Sequence, residues 1–121
     1  LSPSSAASDV YKRQMDIYGL MKMGLDATEL RNRTIANNIV NINTPNYKRK
    51  YVTFEDSLKN EMDNAKIEVK VDKDSVVRED GNNVDLESEK VNQAAASLQY
   101  NAIVSLTNTK LSMTKSVISG R

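Results

Sequence analysis

The chain has 121 residues and a formal net charge of +1, with one Phe, no Trp, no Cys and no His. Without Cys there are no disulfides or thiol nucleophiles, and without Cys and His together there is neither a zinc site nor the commonest general base. Ile, Leu, Val and Phe make up 28 of 121 residues, just above the ~20% below which chains tend to be disordered, so any private core is small and oligomerisation is the remaining route to stability.

No apolar run approaches the ~20 residues of a membrane span. The N-terminus lacks the uninterrupted apolar core of a cleaved secretory signal. Residues 1–14, LSPSSAASDVYKRQ, are small and polar, then basic, and share no pattern with the periodic region beyond Met15. They resemble translated adapter read-through and are expected to be a non-native or disordered leader outside the fold.

Residues 15–44 form the first arm. Ile17, Met21, Leu25, Thr28, Ile35, Ile39 and Ile42 keep helical spacing, widened by Leu20, Ala27, Leu30 and Ala36. Asp16 is the expected N-cap or first-turn acid. Pro45 cannot donate to a helix and pushes Thr44 away from helical angles, so the helix is expected to stop near Asn43. Thr44-Pro45-Asn46-Tyr47 reads as a tight turn, with Asn46 in the left-handed region.

Residues 45–83 are expected to hold that turn, a short strand and an acidic loop. Lys66–Asp72 alternates as KIEVKVD, with Ile67, Val69 and Val71 on one face, and Val76-Val77 is the expected start of a partner strand. Asp80-Gly81-Asn82-Asn83 is a turn signal. Residues 55–90 carry 12 acidic and 6 basic side chains, net −6, which leaves +7 on the rest. A uniformly basic nucleic-acid binder is not distributed this way. Tyr47-Lys48-Arg49-Lys50-Tyr51 reads as a surface pattern of charges between aromatics.

Residues 84–121 form the second arm. Val84, Val91, Ala95, Leu98, Ala102, Leu106, Met113 and Val117 are spaced by three, four or seven, and Val104, Leu111 and Ile118 form a second line at sevens. Asp85, Glu87 and Glu89 cluster in the first turn, and Lys110, Lys115 and Arg121 lie toward the end, both favourable to the helix dipole. The fold class is therefore mainly α. Long N- and C-terminal helices should pair as an antiparallel, coiled-coil-like bundle around a short irregular or β middle. Modest apolar mass along each seam predicts further pairing with neighbouring copies.

Asn37, Asn38, Asn41 and Asn43 crowd the end of the first helix, although Asn is a poor interior helix former. By composition alone this reads first as a frayed, solvated, Asn-rich helix end. The run Ala36-Asn37-Asn38-Ile39-Val40-Asn41, then Asn43-Thr44-Pro45-Asn46-Tyr47-Lys48, nevertheless resembles the N-terminal signature of the flagellar rod and hook protein family, in which an ANNIAN-type helix end runs into NTPGYK. Val40 replaces the usual Ala and Asn46 the usual Gly, of which Asn is the mildest substitute. The shortness of the chain and the run Asp80-Gly81-Asn82-Asn83-Val84-Asp85-Leu86 at the start of the last helix resemble the proximal rod members of that family.

The resemblance implies a structural subunit of the proximal rod of the bacterial flagellar basal body, catalysing nothing and holding no cofactor or metal. It implies export through the flagellar type III apparatus without signal cleavage and assembly in the periplasm. The implied partners are copies of the chain, other rod proteins, the export apparatus and the basal-body ring base, with no nucleic acid or small-molecule substrate. Ile35, Ile39, Ile42, Leu98, Ala102 and Leu106, with Met113 and Val117 further along, are expected to bury in the helical core. Asn37, Asn38, Asn41 and Asn43 are expected to bond at the helix end and between subunits. Pro45 and Asn46 should turn the chain outward, and Tyr47 and Phe54 should anchor the next segment on the helices. A sister proximal rod protein, or a secreted coiled-coil adaptor binding a partner helix, is the alternative.

Overall fold

The computed structural model describes residues 3–60 and 64–120. Its elements in chain order are α1 (Pro3–Val40), β1 (Lys50–Thr53), α2 (Glu55–Asn60), β2 (Glu68–Val71) and α3 (Leu86–Ser119). The molecule is mainly helical, with two long helices and a small antiparallel strand pair between them.

α1 contains no Pro after its first position, where the missing N–H is harmless. The helix runs unbroken through residues 3–14, which composition sets apart as a leader, and through Asp16, the expected cap. Helix-forming Ala, Lys and Arg there carry the register straight into the first arm, and the described side chains of residues 4–13 are nearly all exposed. Leu1 and Ser2 lie outside the described residues, as does Arg121 at the other end.

α3 starts two residues later than its apolar pattern, because Asp85 serves as N-cap. With φ −108° and ψ 113°, Asp85 accepts from the Glu87 amide at 3.1 Å, satisfying one of the orphan donors at a helix start. Glu87 and Glu89 occupy the first turn. Gly120, left-handed at φ 71°, closes the far end by donating to Ser116 and Val117 carbonyls.

The two helices run antiparallel. Asn38 meets Glu89, Arg31 meets Gln99, a Cβ placed on Gly24 would lie 3.4 Å from Ile103, and Tyr18 bonds Thr114 at 2.7 Å. Thr28 and Thr34 enter the buried seam with their hydroxyls returned to carbonyls one turn back. Among the described residues, every buried side chain lies between Gly24 and Phe54 or between Asn82 and Ala96. The core, which includes Ala27, Ile35, Val52, Phe54, Val84 and Ala96, thus sits at one end of the helix pair.

The seam on α3 is not the predicted one. Ala96 is buried, and Ile103, Thr107, Lys110 and Thr114 are half-buried. Leu98, Ala102, Leu106, Met113 and Val117 are exposed, Leu98 at 71% and Val117 at 81%. At ~100° per residue, the predicted stripe falls to one side of the Ala96–Ile103–Lys110 row and the Val104–Leu111–Ile118 line to the other. Ala96, Thr107 and Thr114 are small, and Gly24 of α1 leaves room for Ile103, so α1 can lie close along this row.

The strand pair also differs. β2 pairs with β1, not with Val76-Val77, in the register Lys50↔Val71, Tyr51↔Lys70, Val52↔Val69 and Thr53↔Glu68. Asp72 is the reason the chain does not fold back on itself at once. Its Oδ1 accepts from the amides of Asp74 and Ser75, both at 3.0 Å, making a local turn that leads Val76 and Val77 into solvent. Ile67 is half-buried, and Val69 and Val71 are exposed.

Candidate functional site

The family-like segments at residues 36–48 and 80–85 meet beside the start of α3, where they build a buried polar clasp. Asn38 is its centre, 0% exposed. Its Oδ1 accepts from the Lys50 amide at 2.9 Å and the Tyr47 hydroxyl at 3.1 Å, and its Nδ2 donates to the Lys50 carbonyl at 2.7 Å and Glu89 Oε2 at 3.3 Å. One amide side chain thereby satisfies its full complement of donors and lone pairs, and it ties α1, β1 and α3 together.

Glu89, also 0% exposed, accepts from Arg49 Nε at 2.8 Å. Arg49 reaches Asp72 with Nη1 at 2.9 Å and lies over the Tyr51 ring at 5.7 Å. A buried charge is tolerated only with such partners. Burial opposes the Arg49 charge, but Glu89 and Asp72 outweigh it and push its pKa above the ordinary arginine value. The Ser75 hydroxyl, against some desolvation, and then Arg49 hold Asp72 well below the usual carboxylate range. Burial, with the Glu89 charge nearby, raises the Tyr47 phenol.

Asn82 and Asn83 close the clasp from the other side. Asn82 Nδ2 donates to the carbonyls of Asn41, Ile42 and Thr44 at 2.8, 3.1 and 2.9 Å. These carbonyls belong to the turn that follows α1, where those of Asn41 and Thr44 also accept the amides of Thr44 and Tyr47; Arg78 bonds the Ile42 carbonyl as well. Asn82 Oδ1 accepts from the Val84 amide at 2.8 Å. Asn83 accepts from the Arg49 amide at 2.6 Å and donates to the Asp72 carbonyl at 2.8 Å. Asn46, at φ 61°, donates its amide to the Asp80 carbonyl at 2.7 Å and packs on Gly81 so tightly that a Cβ there would lie 2.3 Å from Asn46 Oδ1. Lys48 Nζ bonds the Gly81 carbonyl.

Other members of the motif stay outside the clasp. Asn37 is exposed, and its carbonyl accepts from the Asn41 amide and Nδ2. Ala36, Asn43, Thr44 and Pro45 are exposed, while Ile39 and Ile42 are half-buried. Val84 is buried, and Asp85 caps α3. Asn41 Oδ1 accepts from the Thr44 hydroxyl at 3.1 Å. The ion pairs are where spacing fails. Arg49 reads as surface charge and Glu89 as a dipole-favouring acid, and no local signal joins residues 40 positions apart. Likewise Arg31 grips Glu55 through two bonds of 2.9 and 2.7 Å while reaching Gln99 at 2.7 Å and the Val52 carbonyl at 3.2 Å. Arg31, with burial opposing, holds Glu55 down to about 2.

No family model matches the chain. A flagellar basal body rod protein FlgB of Bacillus subtilis (strain 168) is 29% identical over 119 residues, covering 83% of this chain and 91% of the relative. A flagellar basal body rod protein FlgB of Borrelia hermsii is 33% identical over 108 residues, covering 68% and 80%. The chain belongs to the FlgB family of flagellar basal body rod proteins. In this FlgB-family chain the clasp uses its polar groups internally, and its chemistry is positional: it sets where the strand pair and the start of α3 sit against α1. Among the described residues no helix is long and apolar enough to cross a membrane, and no group of three His, Cys, Asp or Glu is placed to hold a metal.

Proposed function

We propose that the chain is a structural subunit of the proximal rod, joining copies of itself and other rod proteins through α1 and α3. It reaches the periplasmic rod through the flagellar type III export apparatus, without a cleaved signal, and seats against the ring base of the basal body. The observation that carries this reading is the bare stripe on α3, where Leu98, Leu106, Met113 and Val117 are 60–81% exposed. Contiguous apolar surface on a lone subunit marks a partner surface. A repeated head-to-tail contact of that kind generates an open helical polymer. The clasp supports the reading from the other end, since it fixes the strand pair rigidly beside helices that are otherwise free to receive neighbours. Asn37 and Asn43, exposed at the helix end, are available for bonds between subunits.

The test is the triple variant L98S/L106S/M113S. These side chains make no intramolecular core, so the stability of the free subunit should move by no more than ~1.5 kcal/mol for the three together. In cells lacking the native gene, the variant should be made and exported normally yet leave swimming and isolated rods absent. Swimming at wild-type rates would sink the assembly reading.

A further inference from the structure

The two outer edges of the β1–β2 pair are not equivalent. Arg49 and Asp72 form a hydrogen-bonded pair, the Asp72 amide donating to the Arg49 carbonyl at 2.8 Å. In an antiparallel ladder hydrogen-bonded and open pairs alternate, so the backbone groups of Lys50 and Val52 point outward from β1, and those of Val69 and Val71 outward from β2. Three of the four outward groups of β1 are taken: Asn38 takes the Lys50 amide and carbonyl, and Arg31 takes the Val52 carbonyl. On the β2 edge, no described residue bonds the outward groups of Val69 or Val71, and all four residues of β2 are exposed. An open edge of this kind is a template for another strand.

The sequence across that edge selects the strand. Lys66-Ile67-Glu68-Val69-Lys70-Val71-Asp72, laid antiparallel against itself with Val69 at the centre, sets Glu68 opposite Lys70, Lys66 opposite Asp72 and Ile67 opposite Val71. Every charge meets its opposite and every apolar residue meets another. Moving the centre to Glu68 or Lys70 puts like charges face to face, and a parallel in-register pair matches Lys with Lys and Glu with Glu. Like charges directly opposite are destabilising across strands. The centred register also brings the outward-pointing groups of the two Val69 residues together, as a hydrogen-bonded pair requires.

We propose that β2 is a self-pairing edge through which two copies of the chain join, strand to strand and antiparallel, about a two-fold axis at Val69. A two-fold pair turns its members in opposite directions, whereas a rod extended by one repeated screw operation points every subunit the same way. On the rod reading, the strand pair therefore belongs to the unassembled protein and opens before a subunit joins. The contact is short, so it forms in proportion to concentration.

The chain has no Cys, which makes single-cysteine variants of the full chain clean reporters. In the proposed register the two copies of residue 69 lie about 5.5 Å apart at Cα, within the disulfide range of about 4.4–6.8 Å. The two copies of residue 71 are about 14 Å apart. Under mild oxidation V69C should form a linked dimer at least ~10-fold faster than V71C. Adding E68K should slow V69C linkage roughly 10-fold by opposing two lysines, and V69C/E68K/K70E should recover it. The result that would overturn the proposal is V71C linking as fast as V69C, no dependence on E68K, no recovery in the triple variant, or no dimer at all. Combining V69C with L98S/L106S/M113S separates the two readings, because linkage through β2 should persist when the α3 stripe is gone.

Discussion

Removing the side chain of Asn38 tests the clasp most directly. Asn38→Ala deletes four hydrogen bonds at once, to the Lys50 amide and carbonyl, the Tyr47 hydroxyl and Glu89. A typical bond contributes about 0.5–1.5 kcal/mol net, and a buried partner left unsatisfied forfeits more. Glu89 keeps Arg49, and the Lys50 backbone groups are only part-buried, so the loss falls at about 2–4 kcal/mol rather than at the sum of four orphaned groups. For a chain of this size each kcal/mol is worth about 4 °C of Tm, so the expected drop in thermal unfolding recorded by circular dichroism is roughly 8–16 °C. Asn38→Asp should be at least as damaging, because it sets a second carboxylate against a fully buried one and loses the bond to the Lys50 carbonyl. Asn37→Ala, one residue earlier in the same motif, should change stability by no more than ~0.5 kcal/mol, since only its backbone is engaged. Equal effects at the two positions, or a loss under ~1 kcal/mol at Asn38, would refute the claim that the clasp, and not the Asn-rich helix end in general, holds the segment.

The same geometry dictates three further outcomes. Gly81→Ala meets both φ +82° and the Asn46 side chain at 2.3 Å, so it should lower stability by about 1–3 kcal/mol; adding Asn46→Gly should restore the steric part, read as coupling in a double-mutant cycle by urea unfolding. Asp85→Ala removes the acceptor for the Glu87 amide and should lower stability by ~1 kcal/mol, with loss of helical signal from the start of α3. Glu55 is held at about 2 against an ordinary 4.5, a depressed folded value, so its stabilising pairing with Arg31 is complete above 4.5 and is lost as pH falls toward 2. Asp72 contributes in the same direction, from its own partners. The urea midpoint should therefore fall through that acidic window, and Glu55→Gln should lower it at neutral pH and make the acid dependence shallower.

The features legible in sequence are those decided within a few residues. The helical rhythm and the absence of Pro dictate two long helices. The first helix stops at Val40, three residues short of the expected Asn43 and before Pro45 is reached, and Asn46 at φ 61° is the left-handed residue the following turn requires. The acids at the start of the second helix are legible as a favourable cluster, but that Asp85 is its N-cap and Gly120 its C-cap comes from the structure. Two apolar rows on α3 are equally visible, but spacing cannot say which surface faces α1. That depended on the volumes meeting across the interface, where Ala96 and Thr107 are small and Gly24 of α1 leaves room for Ile103. Spacing also could not join Arg49 to Glu89, Arg31 to Glu55, or β2 to β1, since each partner lies 15 or more positions away and its charge or β-propensity looks locally like ordinary surface. Only the tertiary structure brought those groups together, and where it took one out of water, as at Glu89, the buried group had to have the partner that satisfies it.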